Sequence, residues 1–227
     1  DQLAGNGLPD PYDAGTQAPL PWRGRITTAR AADRPGTTDR TAAAVAEVAA
    51  FFGTASASDF TFGELPAAPQ ADDFIAFLQN GQAEAMPTIT YSGPPEWGYR
   101  RFILHQAALC AAAGGVEAFC IGSEMVGLTR IRGAGDSFPA VEALRNLLHE
   151  VRTILPDAKL TYAADWSEYF GHHPQDGSGN VYFHLDPLWA DPEIDFIGID
   201  NYMPLSDWRD GTDHADARWS DIRNPHY

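Results

Sequence analysis

Four acidic residues carry the chemistry that this sequence suggests. Glu124 follows the apolar run VEAFCIGS, Asp165 ends LTYAAD, Glu168 lies three residues further on, and Asp200 ends IDFIGID. Glycoside cleavage needs two carboxyl groups flanking the scissile bond, one protonated as acid and one ionised as nucleophile or base. Glu124 is the candidate acid, because a carboxyl at the end of an apolar strand is partly desolvated, and desolvation favours the protonated form. Asp165 and Asp200 are the candidates to act with it, and Glu168 is a candidate to bind the substrate. Trp97, Trp166, Tyr169, Tyr202 and Trp208 fall in loops or at element ends, where aromatic faces suit stacking on sugar rings. The competing reading is structural. There Glu124 pairs with Arg130 or Arg132 as a rim charge, Asp165 and Asp200 cap turns, and the aromatics anchor loops.

Other chemistries fit less well. His172, His173, His184 and Asp186 follow no zinc spacing, so these histidines read as solvated or hydrogen-bonding and no metal is expected. Residues 176–180 (DGSGN) resemble a calcium loop but lack its twelfth-position glutamate, and read as a turn. With neither a glycine-rich phosphate loop nor a serine elbow, no cofactor is expected.

The elements that must position these groups are legible in outline. Helices are expected at 41–52 (Asp39 or Thr38 as N-cap, Gly53 as stop), 71–79, 97–113 and 138–155. The last is the clearest amphipathic stretch, with Pro139 early and Pro156 just past its end. Strands are expected at 87–91, 116–121, 160–164 and 194–199, with 55–61 a loop and 1–40 an irregular segment of turns. Alternating helices and apolar strands imply an α/β fold with a parallel sheet. Each strong strand runs into polar residues at its C-terminal end, where (β/α)8 barrels place their chemistry. Three such strands do not close a barrel of eight, so the chain reads as an internal slice of a TIM-barrel-like domain, with a small open α/β domain as the rival. The two cysteines, Cys110 and Cys120, read as buried free thiols.

Composition bounds the partners. The 227 residues include 31 acidic against 15 basic side chains, a formal charge of -16, and 44% hydrophobic residues. That supports a real core, and it repels nucleic-acid phosphates, so nucleic acid is not an expected partner. No apolar run is long enough for a membrane span. The single lysine, Lys159, among many arginines and alanines suggests a GC-rich bacterial source.

Longer strings narrow the reading. NGLPDPY, PWRGRIT, GPPEWGYRRFILH, GGVEAFCIGSEMVGLTRIRG and the run from LTYAADWSEYF to NYMPLSDWRDG resemble the TIM-barrel-like, glycoside-hydrolase-like domain of the large tail-tip protein of gene transfer agents and related tailed phages. The resemblance implies that residues 1–95 are a loop and helical insertion after the third barrel strand. It implies that 96–227 carry βα units, with strands four to six at 116–124, 160–165 and 194–202, in one structural domain overall. It further implies a baseplate component at the tail tip of a particle made in the bacterial cytoplasm. Its expected partners are other baseplate proteins and a host-envelope glycan, and a homotrimer is one assembly that suits a tail tip. In related sugar-cleaving barrels the fourth strand ends in Asn-Glu; here it is Ser123-Glu124, and the asparagine that binds the sugar 2-hydroxyl is replaced. The nucleophile of those barrels ends the seventh strand, which places it past Tyr227. The chain alone is therefore expected to be inactive. An active hydrolase in the intact parent, or carbohydrate binding without cleavage, are the alternatives.

Overall fold

The structure is a computed structural model that describes residues 7–17, 22–62, 88–202, 210, 211 and 213. Helix α1 (Ala42–Phe52) is alanine-rich and buries Ala44, Val48 and Phe52, spaced one turn apart. Thr41 is its N-cap and accepts from the Ala43 amide. The cap expected at Asp39 or Thr38 moves because the Asp39 carboxylate is committed to Arg132. Gly53 ends the helix at φ 74. Strand β1 (Phe60–Phe62) then pairs antiparallel with β2 (Ile89–Tyr91), so the loop expected at 55–61 gives way to a 3-10 turn and a strand. The helix expected at 71–79 lies outside the described residues.

Six further elements follow: α2 (Tyr99–Ala112), β3 (Ala118–Ser123), α3 (Val126–Thr129), α4 (Pro139–Ile154), β4 (Lys159–Asp165) and α5 (Asp186–Trp189). Strand β5 (Gly198–Asp200) closes the series. Strands β3, β4 and β5 form a parallel sheet in sequence order, and among the described residues it does not close into a barrel. This is a partial TIM-barrel-like architecture.

Helix α4 supplies the sheet's packing. It begins with Pro139, whose missing N–H costs nothing in a first turn. Val141, Leu144, Leu147, Leu148, Val151 and Ile154 then bury one continuous face. These join Leu104, Ile121, Leu160, Tyr162 and Ala164 in one buried cluster that also takes in Val48 and Phe52 of α1. Each fully buried leucine there contributes roughly 1.5–3 kcal/mol relative to exposure.

Two details differ from the sequence expectation. Strand β5 is shorter than 194–199 because side chains replace its early ladder: the Leu160 amide donates to the Asp195 carboxylate, and the Thr161 hydroxyl to the Phe196 carbonyl. Cys110 and Cys120 are both free thiols, but Cys110 is only half-buried and Cys120 is exposed. Cys120 alternates away from the helix-covered face that holds Ile121.

Register brings the chemistry together. Ser123 lies opposite Ala163 and Asp165 opposite Asp200, so the C-terminal ends of all three strands share one edge.

Candidate functional site at the strand ends

The β3 ladder is irregular between Cys120 and Ser123, and Glu124 follows with φ 54, in the left-handed region that ordinary side chains avoid. Its amide still donates to the Ala163 carbonyl at 2.8 Å. Such a backbone persists only where its surroundings hold it, and it is found disproportionately at functional sites. The side chain is 2% exposed. Oε2 accepts from the Trp22 indole at 3.0 Å and from Arg23 Nε at 3.2 Å. Oε1 has no hydrogen-bond partner among the described residues.

Burial works to raise the pKa of Glu124, but the nearby Tyr202 hydroxyl and the bonds from Trp22 and Arg23, with the Arg23 charge, outweigh it and leave the carboxyl below its ordinary value. Desolvation alone favours the proton on Glu124, and the donors around it favour the carboxylate. Its partner is also neither Arg130 nor Arg132: Arg132 grips Asp39 at 2.6 Å and Asp176 at 3.0 Å.

Trp22 and Arg23 reach Glu124 from a strap of irregular chain, held in place by a close approach. A Cβ on Gly127 of α3 would lie 2.6 Å from the Gly24 carbonyl oxygen and 2.8 Å from that of Ile26. The Thr27 hydroxyl donates to the Gly127 carbonyl at 2.7 Å, pinning the strap's far end.

The other carboxylates are tied in differently. Asp165 is buried, and its Oδ2 accepts from the Ser167 amide at 2.9 Å and from the Ser167 hydroxyl, which caps the turn after β4. Asp200 is half-buried, and its Oδ2 accepts from the Ser123 hydroxyl at 3.0 Å. Ser123, in the position where sugar-cleaving barrels carry asparagine, thus joins the ends of β3 and β5. Glu168 is buried and turned inward: its carboxyl accepts from Thr129 Oγ1 at 2.5 Å, from the Asp165 amide at 2.8 Å and from the Tyr162 hydroxyl at 3.2 Å. Burial pushes its pKa up to about 7, against the hydrogen bonds it accepts, and the Asp165 charge adds to the rise.

Aromatic rings flank this edge. Trp22 is 42% exposed, Trp166 39% and Tyr202 65%. Trp166 donates its amide to the Asp200 carbonyl and pairs its ring with Phe170, which packs on Tyr169. Trp97 lies just before α2, with the Arg101 guanidinium 3.9 Å from its ring centroid. Trp208 lies outside the described residues.

Of the histidines, His172 and His184 are buried with ring centroids 6.1 Å apart, and burial pushes both pKa values down to about 4. His173 is exposed and bonds the Phe170 carbonyl. Asp176 accepts from the Ser178 amide at 3.0 Å within its turn. Among the described residues no group of three or more His, Cys, Asp or Glu side chains is placed to hold a metal ion.

Sequence reasoning missed Trp22, Arg23 and Tyr162. Trp22 is 102 residues from Glu124, and no local spacing connects them.

A parallel βα segment whose acidic and aromatic side chains converge on the strand ends defines the TIM-barrel-like class. Residues 97–227 match the family model of the GTA (gene transfer agent) TIM-barrel-like domain, and the chain belongs to that family. No curated protein sequence matches it significantly.

Proposed function

We propose that this chain is the glycan-contacting domain of a tail-tip baseplate protein in a phage-like particle, working by binding rather than by cleavage. Membership of a gene transfer agent family supports the particle setting. In this reading its neighbours are other baseplate proteins, as a homotrimer or otherwise, and its target is a host-envelope glycan.

The observation that carries binding over cleavage is the state of Glu124. A general acid must keep a proton to donate, yet Glu124 Oε2 is already occupied by the Trp22 indole at 3.0 Å and the Arg23 guanidinium at 3.2 Å, donors that favour the carboxylate. The half-exposed rings of Trp22, Trp166 and Tyr202 beside it offer apolar faces for sugar stacking. A barrel keeps its scaffold readily while its chemistry changes, because function belongs to the site.

The test is calorimetric titration of the full chain with isolated host-envelope oligosaccharides, with reducing ends followed in parallel. Trp166→Ala and Tyr202→Ala are each expected to weaken binding by about 3- to 10-fold, in line with roughly 0.5–1.5 kcal/mol per aromatic contact. Unchanged affinity in both would refute the stacking surface. Absence of the parent protein from purified particles would refute the tail-tip setting.

One observation favours a second reading, a glycoside hydrolase in the intact parent. Glu124 keeps a left-handed backbone and an unpartnered Oε1 at a strand end, where such barrels do their chemistry. Reducing ends that appear with the parent protein and vanish in its Glu124→Gln variant would establish it.

A further inference from the structure

We propose that Glu168 is a positioning residue for the Glu124 site, holding through the Tyr162 hydroxyl and the Thr129 hydroxyl the left-handed turn that presents the Glu124 carboxylate. This rests on the reading of Glu124 as part of the glycan-contacting edge, and it adds a residue that does not touch the ligand.

The chain of contacts is short. The Met125 amide, directly after Glu124, donates to the Tyr162 hydroxyl at 2.9 Å. Having accepted that bond, the hydroxyl has its own proton to give, and the only acceptor it meets among the described residues is the Glu168 carboxyl, with both oxygens at 3.2 Å. Thr129, at the far end of α3, donates to the same carboxyl at 2.5 Å. One buried carboxylate therefore grips both ends of the segment from Met125 to Thr129 and, through the Asp165 amide, the end of β4.

The arrangement accounts for a conformation with no local cause. Glu124 pays the steric cost of φ 54, and its own amide bond to Ala163 fixes only the entry to the turn. The exit is fixed by Tyr162, whose ring is fully buried and whose hydroxyl is held by Glu168. All the donors around Glu168 point at it, so the ionised form satisfies every one of them. A proton on the carboxyl would set a donor against a donor. The titratable groups that face this pair are Asp165, next to Glu168, and Tyr99 of α2, near Tyr162.

The experiment is a two-dimensional NMR titration of the full chain from about pH 5 to about pH 9, following the Met125 amide and the Glu124 side-chain carboxyl carbon. Met125 is expected to shift with a midpoint near 7, the folded value of Glu168. Glu168→Gln should abolish that inflection and displace the Glu124 carboxyl resonance, while Glu124→Gln should leave the inflection in place. Should Glu168→Gln fail to fold, Tyr162→Phe decides. It removes only the hydroxyl, and it should uncouple Met125 from the titration.

An inflection that survives Glu168→Gln, or one that survives Tyr162→Phe, would overturn the proposal. A buried glutamate with a purely structural role would leave the pH response of Met125 unaltered. The glycan titration is a separate arm: a wild-type chain that binds no glycan refutes the proposed function, while the Met125 titration still decides the role of Glu168.

Discussion

Substituting Gly127 by alanine tests whether the Trp22–Arg23 strap is seated where the structure puts it. Two effects of opposite sign compete. Gly127 lies inside α3, where alanine is the better helix former by about 1 kcal/mol. The added methyl, however, would meet the Tyr12 hydroxyl oxygen, a side-chain end that can turn aside, and would sit 2.6 and 2.8 Å from the carbonyl oxygens of Gly24 and Ile26, against ordinary contact at 3.4 Å or more. The strap must therefore retreat by roughly 0.6–0.8 Å, because those atoms are backbone and not the end of a flexible side chain.

A retreat of that size carries the 3.0 and 3.2 Å bonds to Glu124 out of hydrogen-bond range. Overpacking costs about 1–3 kcal/mol, and losing the indole bond to a buried carboxylate costs about 1.5 kcal/mol more. The Arg23 bond adds little, since that side chain is 56% exposed. Less the helix gain, the net loss is about 2.5 kcal/mol, which for a domain of this size lowers Tm by roughly 5–10 °C. The assay is thermal unfolding, with acrylamide quenching of Trp22 as the local readout. Gly15→Ala, which meets nothing within 4 Å, is the control. A Gly127→Ala chain that melts with wild type and leaves Trp22 equally protected would refute the seating and, with it, the occlusion of Glu124.

Two further outcomes follow from buried charge. Asp39→Ala strands the Arg132 guanidinium, which is 2% exposed, with Asp176 as its remaining carboxylate, so urea unfolding should show a loss of about 3–5 kcal/mol; under about 1 kcal/mol would mean the pair is not buried in solution. Stability near pH 5.5 should rise with pH, because the unfolded chain protonates His172 and His184, whose folded values are about 4, while among the described residues Glu168, at about 7, holds a proton that unfolding releases. The slope should be about 1.2 kcal/mol per pH unit in the wild type and about 2.4 in Glu168→Gln, and equal slopes would contradict the raised Glu168 value.

How much of the fold the sequence shows depends on where each element's cause lies. Helix α4 announces itself because its apolar residues recur every three or four positions between two prolines, and burying that face is what forms it. Strands β3 and β4 show as apolar runs because one face of each is covered. Strand β1 does not show, since three residues carry no period and its partner β2 begins 27 residues after β1 ends. The early part of the third apolar run is misread for a related reason. It is apolar enough to be a strand, but beyond one backbone bond, from the Asp195 amide to the Leu160 carbonyl at 2.9 Å, its contacts to β4 run through the Asp195 carboxylate and the Thr161 hydroxyl. The N-cap at Thr41 is lost from sequence because a tertiary partner, Arg132, takes the better capping side chain, Asp39.

The site divides along the same line. That Glu124, Asp165 and Asp200 share an edge is legible, because parallel strands of similar length align their ends. Which carboxyl is protonated is not. Burial is the quantity that an apolar run predicts, and burial pushes Glu124 and Glu168 in the same direction. Both also accept hydrogen bonds from neutral donors, so the count of bonds does not separate them either. The balance of the two does: at Glu168 desolvation outweighs the bonds it accepts and the Asp165 charge adds to it, while at Glu124 the Tyr202, Trp22 and Arg23 donors, with the Arg23 charge, outweigh desolvation. Asp165 is three residues from Glu168 and open to inspection in the sequence, but Arg23 is 101 residues from Glu124. A reading confined to local sequence thus sees the burial of Glu124 and misses the distant donors Trp22 and Arg23, and so it assigns the proton to Glu124. The strap that supplies this cation also occupies the carboxylate, so the same long-range contact that inverts the titration makes binding a better reading of the strand-end edge than acid catalysis.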